Sequence, residues 1–258
     1  MTIDRQTVQS LLAEHPWKNE IRVFPTLDST NLELKQEAAD GAPEGRVCIA
    51  EEQTAGRGRL GRSFLSCPGV GVYLSVLLRP RCKPEKLMTL TAQAAVAVRR
   101  AILSACGVAP DIKWVNDLLL GGKKICGILT ELSVEADIGR VAYAIVGVGV
   151  NCSQALSDFP PELQGIAGSI FSQTGTVVDR SRLSAEIIRE LSALPQLDWR
   201  DEYRKACVTL GKEVLLLQND AHIPATALDV GTHAELLIRY ADGSTGSVQS
   251  GEVSLRNL

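Results

Sequence analysis

Residues 86–107, KLMTLTAQAAVAVRRAILSACG, put the strongest constraint on the fold. The run has the length of a long helix and is apolar on nearly every side. Such a helix must be buried. Pro84 near its start and Gly107 just past its end are the expected punctuation. Strands to build a sheet around it are at hand. IRVF (21–24), RVCIAEE (46–52), GVYLSVLLRP (71–80) and RVAYAIVGVGVN (140–151) all read as strands, the last ending in a Gly-rich turn. LLLGGKKICGILTEL reads as a hairpin about Gly121-Gly122.

Other helices are signalled by caps and spacing. Asp4 or Thr7 caps a short helix ending near His15. Asp28 or Ser29 caps a second helix, with Leu32, Leu34 and Ala38 on its apolar side and Gly41 as its stop. Residues 152–180 read mostly as loop, and helices follow at 181–194 and 198–206. After Cys207 the texture changes to short strands with turn residues at regular spacing, a small β-barrel-like module. Hairpins beside long helices predict an α+β fold, a mixed or antiparallel sheet covered by helices. The expected division is 1–207 and 208–258.

The net charge of −3 over 258 residues argues against general nucleic-acid binding, which needs a strongly basic domain. Any basic function must be local. The seven cysteines are scattered without a CxxC pair and read as buried free thiols in a reducing compartment. Three widely spaced histidines give no metal-binding pattern. The amino-terminal stretch has no apolar signal core, and no apolar run is long enough to span a membrane, so a cytoplasmic protein without membrane association is expected.

Chemistry concentrates in a few short motifs. In EEQTAGRGRLGR (51–62), glycines let backbone N–H groups approach an anion, and Arg57, Arg59 and Arg62 supply forked donors for phosphate or carboxylate. The run is neither a Walker A loop nor a dinucleotide fingerprint. Alone, it reads equally as a phosphate-gripping loop or a solvated turn, and a single-strand nucleic-acid arm is a weaker third reading. In KWVND (113–117), the Asn116 amide can pair with adenine, and Asp117 can hold Mg²⁺ or orient a basic residue; a capped turn is the plainer reading. Lys124 projects from the hairpin that follows. STN (29–31) sits at a helix start, where hydroxyls cap the helix or bond a buried polar ligand.

Together, STN, EQTAGRGRLGR, KWVND, KKICGIL (123–129), GVGVN (147–151) and SGEVSL (250–255) resemble the biotin protein ligases, from about Ile21 to the carboxyl terminus. The resemblance implies a class II synthetase-like catalytic domain followed by an SH3-like β module. It implies ATP-dependent activation of biotin to biotinyl-5′-AMP and transfer to one lysine of a biotin carboxyl carrier domain. By that resemblance, Ser29, Thr30, Asn31, Gln53, Gly56, Arg57, Arg59, Lys124, Gly127, Ile128, Gly147 and Gly149 would serve biotin. Arg59, Arg62, Phe64, Asn116, Asp117, Lys124, Asn151 and Arg256 would serve ATP, with Asp117 helping to place Mg²⁺ or a basic residue. Lys124, Arg59 and Arg62 would carry the chemistry. Val115 stands where the family commonly has Pro, and Phe64 where a Trp often covers adenine. Fewer than 30 residues precede Ser29, so a monofunctional enzyme without specific DNA binding is expected. An exposed sheet edge leaves room for a homodimer. The competing readings are a lipoate- or octanoate-type ligase and a non-catalytic biotin- or nucleotide-binding protein.

Overall fold

A computed structural model describes residues 2–80, 84–87, 89–135, 140–218, 221–249 and 252–255. Seven strands form the main sheet: β1 Ile21–Leu27, β2 Val47–Gln53, β3 Gly71–Leu78, β4 Asp111–Lys113, β5 Asp117–Leu120, β6 Lys123–Glu135 and β7 Arg140–Asn151. Their order is β1-β2-β3-β7-β6-β5-β4. Only the β1–β2 pair is parallel, so the sheet is mixed, as expected.

Strand alternation divides the sheet into two faces. On β3, Val72, Leu74, Val76 and Leu78 enter the large core, while Leu77 enters a smaller one opposite. Every residue of β3 is buried, as an interior strand with a core on each face requires. The large core is covered by α1 (Arg5–Leu11), α3 (Leu90–Cys106) and α6 (Arg180–Ser192). The smaller core lies under α2 (Thr30–Ala39), which crosses β2, β3 and β7. Each fully buried Val, Leu or Ile here contributes roughly 1.5–3 kcal/mol.

The helix expected over 86–107 begins at Leu90, after a 3-10 turn over Pro84–Leu87. Asp4 caps α1 by accepting from Thr7 N–H at 2.7 Å, and the helix stops at Leu11. Leu32 is 40% exposed, so the apolar side of α2 is Leu34 and Ala38 alone. The Gly-rich segment 147–149 is not a turn. It continues β7 to Asn151, because its glycines pair in register with β3 and β6. The 152–180 region also holds two short helices, α4 (Pro161–Gln164) and α5 (Ile170–Thr174). The expected hairpin is present: Gly121 and Gly122 both have positive φ (54° and 76°), which a two-residue turn of this kind needs.

After α7 (Arg200–Ala206) comes a second, antiparallel sheet: β8 Glu213–Gln218, β9 Ala221–Val230, β10 Leu236–Tyr240, β11 Thr245–Val248 and β12 Glu252–Leu255, in the order β11-β10-β9-β8-β12. It agrees with the small SH3-like module expected. Val214, Leu216, Ala225, Leu236, Ile238 and Val248 join the large core. The turn at 114–116 is gripped from this side. Trp114 donates from its backbone N–H to Thr209 Oγ1 at 3.0 Å and from its indole to Ala234 O at 2.9 Å. Tyr203 donates to Val115 O at 3.2 Å.

Candidate active site

The site begins where α2 starts. Helical spacing buries Thr30, Asn31, Leu34 and Ala38 together. Leu34 and Ala38 fill the smaller core, so Thr30 and Asn31 are carried over β3 and β7 at the open end of that face. Ser29 occupies the N-cap position, but its hydroxyl makes no capping bond. Instead, Thr30 donates from N–H and Oγ1 to Gln53 Oε1, at 2.8 and 3.1 Å. Gln53 Nε2 donates to Ser66 Oγ at 2.8 Å. Ser75 Oγ stands 2.7 Å from Thr30 Oγ1 and donates to Asn31 Oδ1 at 2.6 Å. Asn31 Nδ2 donates to Glu131 Oε2 at 2.8 Å. The result is a row of fixed donors and acceptors, nearly sealed from water.

Glycine makes the room beneath this row. Gly147 and Gly149 lie on β7, and Gly149 pairs with Gly127 on β6. A Cβ at 147 would collide with the Asn31 amide, and one at 149 would sit 2.5 Å from the Phe64 ring. Gly147→Ala is therefore expected to displace Asn31 and weaken binding of whatever the row recognises by about tenfold, roughly 1.4 kcal/mol. Calorimetric titration of the purified variant checks this; affinity equal to wild type would refute it.

The arginine loop folds back over the cavity as a tight hairpin. Phe64 N–H donates to Gly56 O at 2.8 Å, and Gly58 N–H donates to Arg62 O at 2.7 Å. Leu60 at its tip has a φ of 55° and is 70% exposed. Arg59 donates to Asn116 Oδ1 at 3.0 Å, and Arg57 reaches to 3.6 Å from Glu131. The Phe64 ring rests on Gly127 and Gly149 and meets Tyr73 edge-on at 6.4 Å.

Lys124 owes its direction to a β-bulge. Leu118 pairs with Cys126, but Leu119 pairs with Lys124, leaving Ile125 as the extra residue. Ile125 and Cys126 therefore both enter the core, and Lys124 is turned onto the cavity face with Gly127. Its backbone is fixed by the 165–168 segment: Lys124 N–H donates to Ile166 O at 2.8 Å, and Gly168 N–H donates to Lys124 O at 3.0 Å. Its ammonium lies 2.7 Å from Asp117 Oδ1. Asn116 Nδ2 donates to Ile128 O at 3.0 Å.

One open cavity gathers most of the candidates. Ser29, Thr30, Asn31 and Gln53 line one end, and Asn116, Asp117 and Lys124 line another region. Arg57, Arg59, Arg62 and Phe64 come from the loop, and Gly127, Ile128, Gly147 and Gly149 from the sheet. Gly56 does not line it, being packed under Phe64 O in the loop. Nor does Asn151, which is buried and donates to Gly168 O at 3.0 Å. Arg256 lies outside the described residues. Sequence reasoning missed Lys113, Trp114 and Ser63 in the lining, and Ser75 and Glu131 behind it. Ser75 had a readable signal, a hydroxyl inside an otherwise apolar strand.

The arrangement is thus a basic loop closing over a polar pocket on a mixed sheet, with a small antiparallel sheet beside it. The chain matches biotin protein ligase from Aquifex aeolicus in complex with biotin and ATP at a TM-score of 0.75 and 28% identity, covering 92% of this chain and 99% of that one. The model of the biotin/lipoate A/B protein ligase family matches residues 23–151, and the chain belongs to that family. The biotin–[acetyl-CoA-carboxylase] ligase of Mycobacterium tuberculosis is 32% identical over 250 residues, 92% of this chain and 89% of that protein. The bifunctional ligase/repressor BirA of Bacillus subtilis is 44% identical over 162 residues, 63% of this chain. The chain spans about half the length of the Bacillus relatives it matches.

Proposed function

We propose that this protein is a biotin protein ligase, which activates biotin with ATP and passes the biotinyl group to a lysine of a carrier domain. The observation that carries the reading is the placement of the Lys124 ammonium in one cavity with the polar row of α2 and with the Asn116–Arg59 pair.

Each part has a task. The row of Ser29, Thr30, Asn31 and Gln53 suits the ureido ring, which carries both donors and acceptors. The glycine floor with Phe64 offers the apolar surface for the rest of biotin. Phe64 stands on this floor, so we assign it to biotin's ring system as well as to the nucleotide. A biotin carboxylate oxygen attacks the α-phosphorus of ATP, the bond to the β-phosphate oxygen breaks, and pyrophosphate leaves with the electron pair. Lys124 holds the two anions together and stabilises the charge that builds between them. Arg59 and Arg62 neutralise phosphate. Asn116 reads adenine once Arg59 releases its Oδ1. The carrier lysine, as a neutral amine, then attacks the acyl carbon; AMP departs and the amine loses a proton.

Mg²⁺ commonly binds one or two carboxylates together with substrate phosphates. Asp117 is the carboxylate among the described cavity-lining residues, so it fits as the protein ligand, the metal supplying further charge neutralisation.

The test is incubation with biotin, ATP, Mg²⁺ and a biotin carrier domain. The carrier's mass should rise by one biotinyl group, and pyrophosphate release should depend on biotin and not on lipoate. Lipoate-dependent release would move the assignment to the other branch of the family. Ligand binding without transfer would make the protein a binder.

A further inference from the structure

Glu131 lies on β6 in alternation with Gly127 and Leu129, facing α2. It does not line the cavity, yet its carboxylate serves two of the elements that build it. Oε2 accepts from Asn31 Nδ2 at 2.8 Å. Oε1 stands 2.5 Å from Lys35 Nζ and 3.6 Å from Arg57 Nη2. Asn31 and Lys35 are one helical turn apart on α2, and Arg57 belongs to the loop. Burial alone would push the Glu131 carboxyl up, but Lys35, Asn31 and Arg57 hold it below the usual carboxylate range. It is therefore charged at neutral pH. With Nδ2 held by this charge, the Asn31 amide cannot flip, and Oδ1 stays on Ser75.

We propose that Glu131 is a positioning residue that yokes the polar row of α2 to the arginine loop, so that the pocket and its cover are set as one unit. The kinetic consequence rests on the ligase reading; the loop tether does not.

Two measurements on the full chain test it. In Glu131→Gln, amide hydrogen exchange over residues 54–66 without ligand should rise about threefold, the scale of one exposed ion pair. Arg57→Gln should give a similar rise, and the double variant no more than the larger single one. In Glu131→Ala, which removes the acceptor of Asn31 Nδ2, KM for biotin should rise about tenfold as the Asn31 amide is freed, with kcat at saturation kept within about twofold. Unchanged loop exchange in a folded Glu131→Gln protein would overturn the proposal. So would a kcat loss with KM unmoved. If the wild-type protein does not use biotin, the ligase reading fails alone and the exchange result still decides the tether. Should Glu131→Gln lose its fold by thermal melting, Arg57→Gln carries the loop test, and unchanged exchange there overturns the proposal.

Discussion

Replacing Lys124 with alanine should lower the rate of biotin-dependent pyrophosphate release by about a thousandfold, near 4 kcal/mol of transition-state stabilisation. The loss should fall on the rate far more than on biotin affinity, which should weaken by less than about tenfold. A positioned ammonium between two anions does most where charge density peaks, in the transition state. Alanine also leaves Asp117 Oδ1 without the cation 2.7 Å away. Lys124→Gln separates the two effects, since its amide can still donate to Asp117 while carrying no charge. Single-turnover kinetics beside calorimetric titration make the comparison. If Lys124→Gln turned over like wild type, or if both variants lost affinity and rate equally, Lys124 would be a binding group only.

The second large effect concerns stability. Glu51 and Arg180 form a buried ion pair at 2.9 Å, and Arg180 also donates to Gly71 O at 3.0 Å. The Ile3 N–H donates to the other Glu51 oxygen, so this pair ties the amino-terminal segment to β2, β3 and α6. Arg180→Met strands a buried carboxylate, which should cost about 3–5 kcal/mol. For a chain of this size the midpoint of thermal unfolding should fall by roughly 10 °C. Adding Glu51→Gln should recover about half, because the amide still accepts from Ile3 without a buried charge. Thermal melts followed by circular dichroism decide it. A single variant as stable as wild type would show that the pair contributes nothing.

How much of this was legible in the sequence follows from what is local. The apolar run of α3, the hairpin at Gly121-Gly122 and the longer strands are spelled by neighbouring residues and are present, whereas the three-residue β4 and the division of 246–255 between β11 and β12 are not. The motifs around Thr30, Gln53, Arg59, Asn116 and Lys124 were legible as a set, and the fold brings them to one cavity. What was not legible depends on pairing at long range. Glu51 and Arg180 are 129 residues apart, and nothing near either one announces the other. Glu131 reads as an ordinary strand acid until α2 lands on it. The glycines of the Gly147–Gly149 segment signal a turn in the sequence, because glycine commonly marks one. Here the missing side chains make space under Asn31 and Phe64, a need set by another layer of the structure.

The bulge at Ile125 shows that the site is encoded in spacing as well as in residue identity. Lys124 faces the cavity because one supernumerary residue offsets the alternation of β6. Paired without the bulge, the same residues would alternate Gly127 out, Cys126 in, Ile125 out and Lys124 in, and the ammonium would point toward the apolar core. A change that erased the bulge would look silent in any comparison confined to the functional side chains. For a chain of this family, the pairing register of the hairpin between Asp117 and Gly127 therefore carries information about activity that residue identities alone do not.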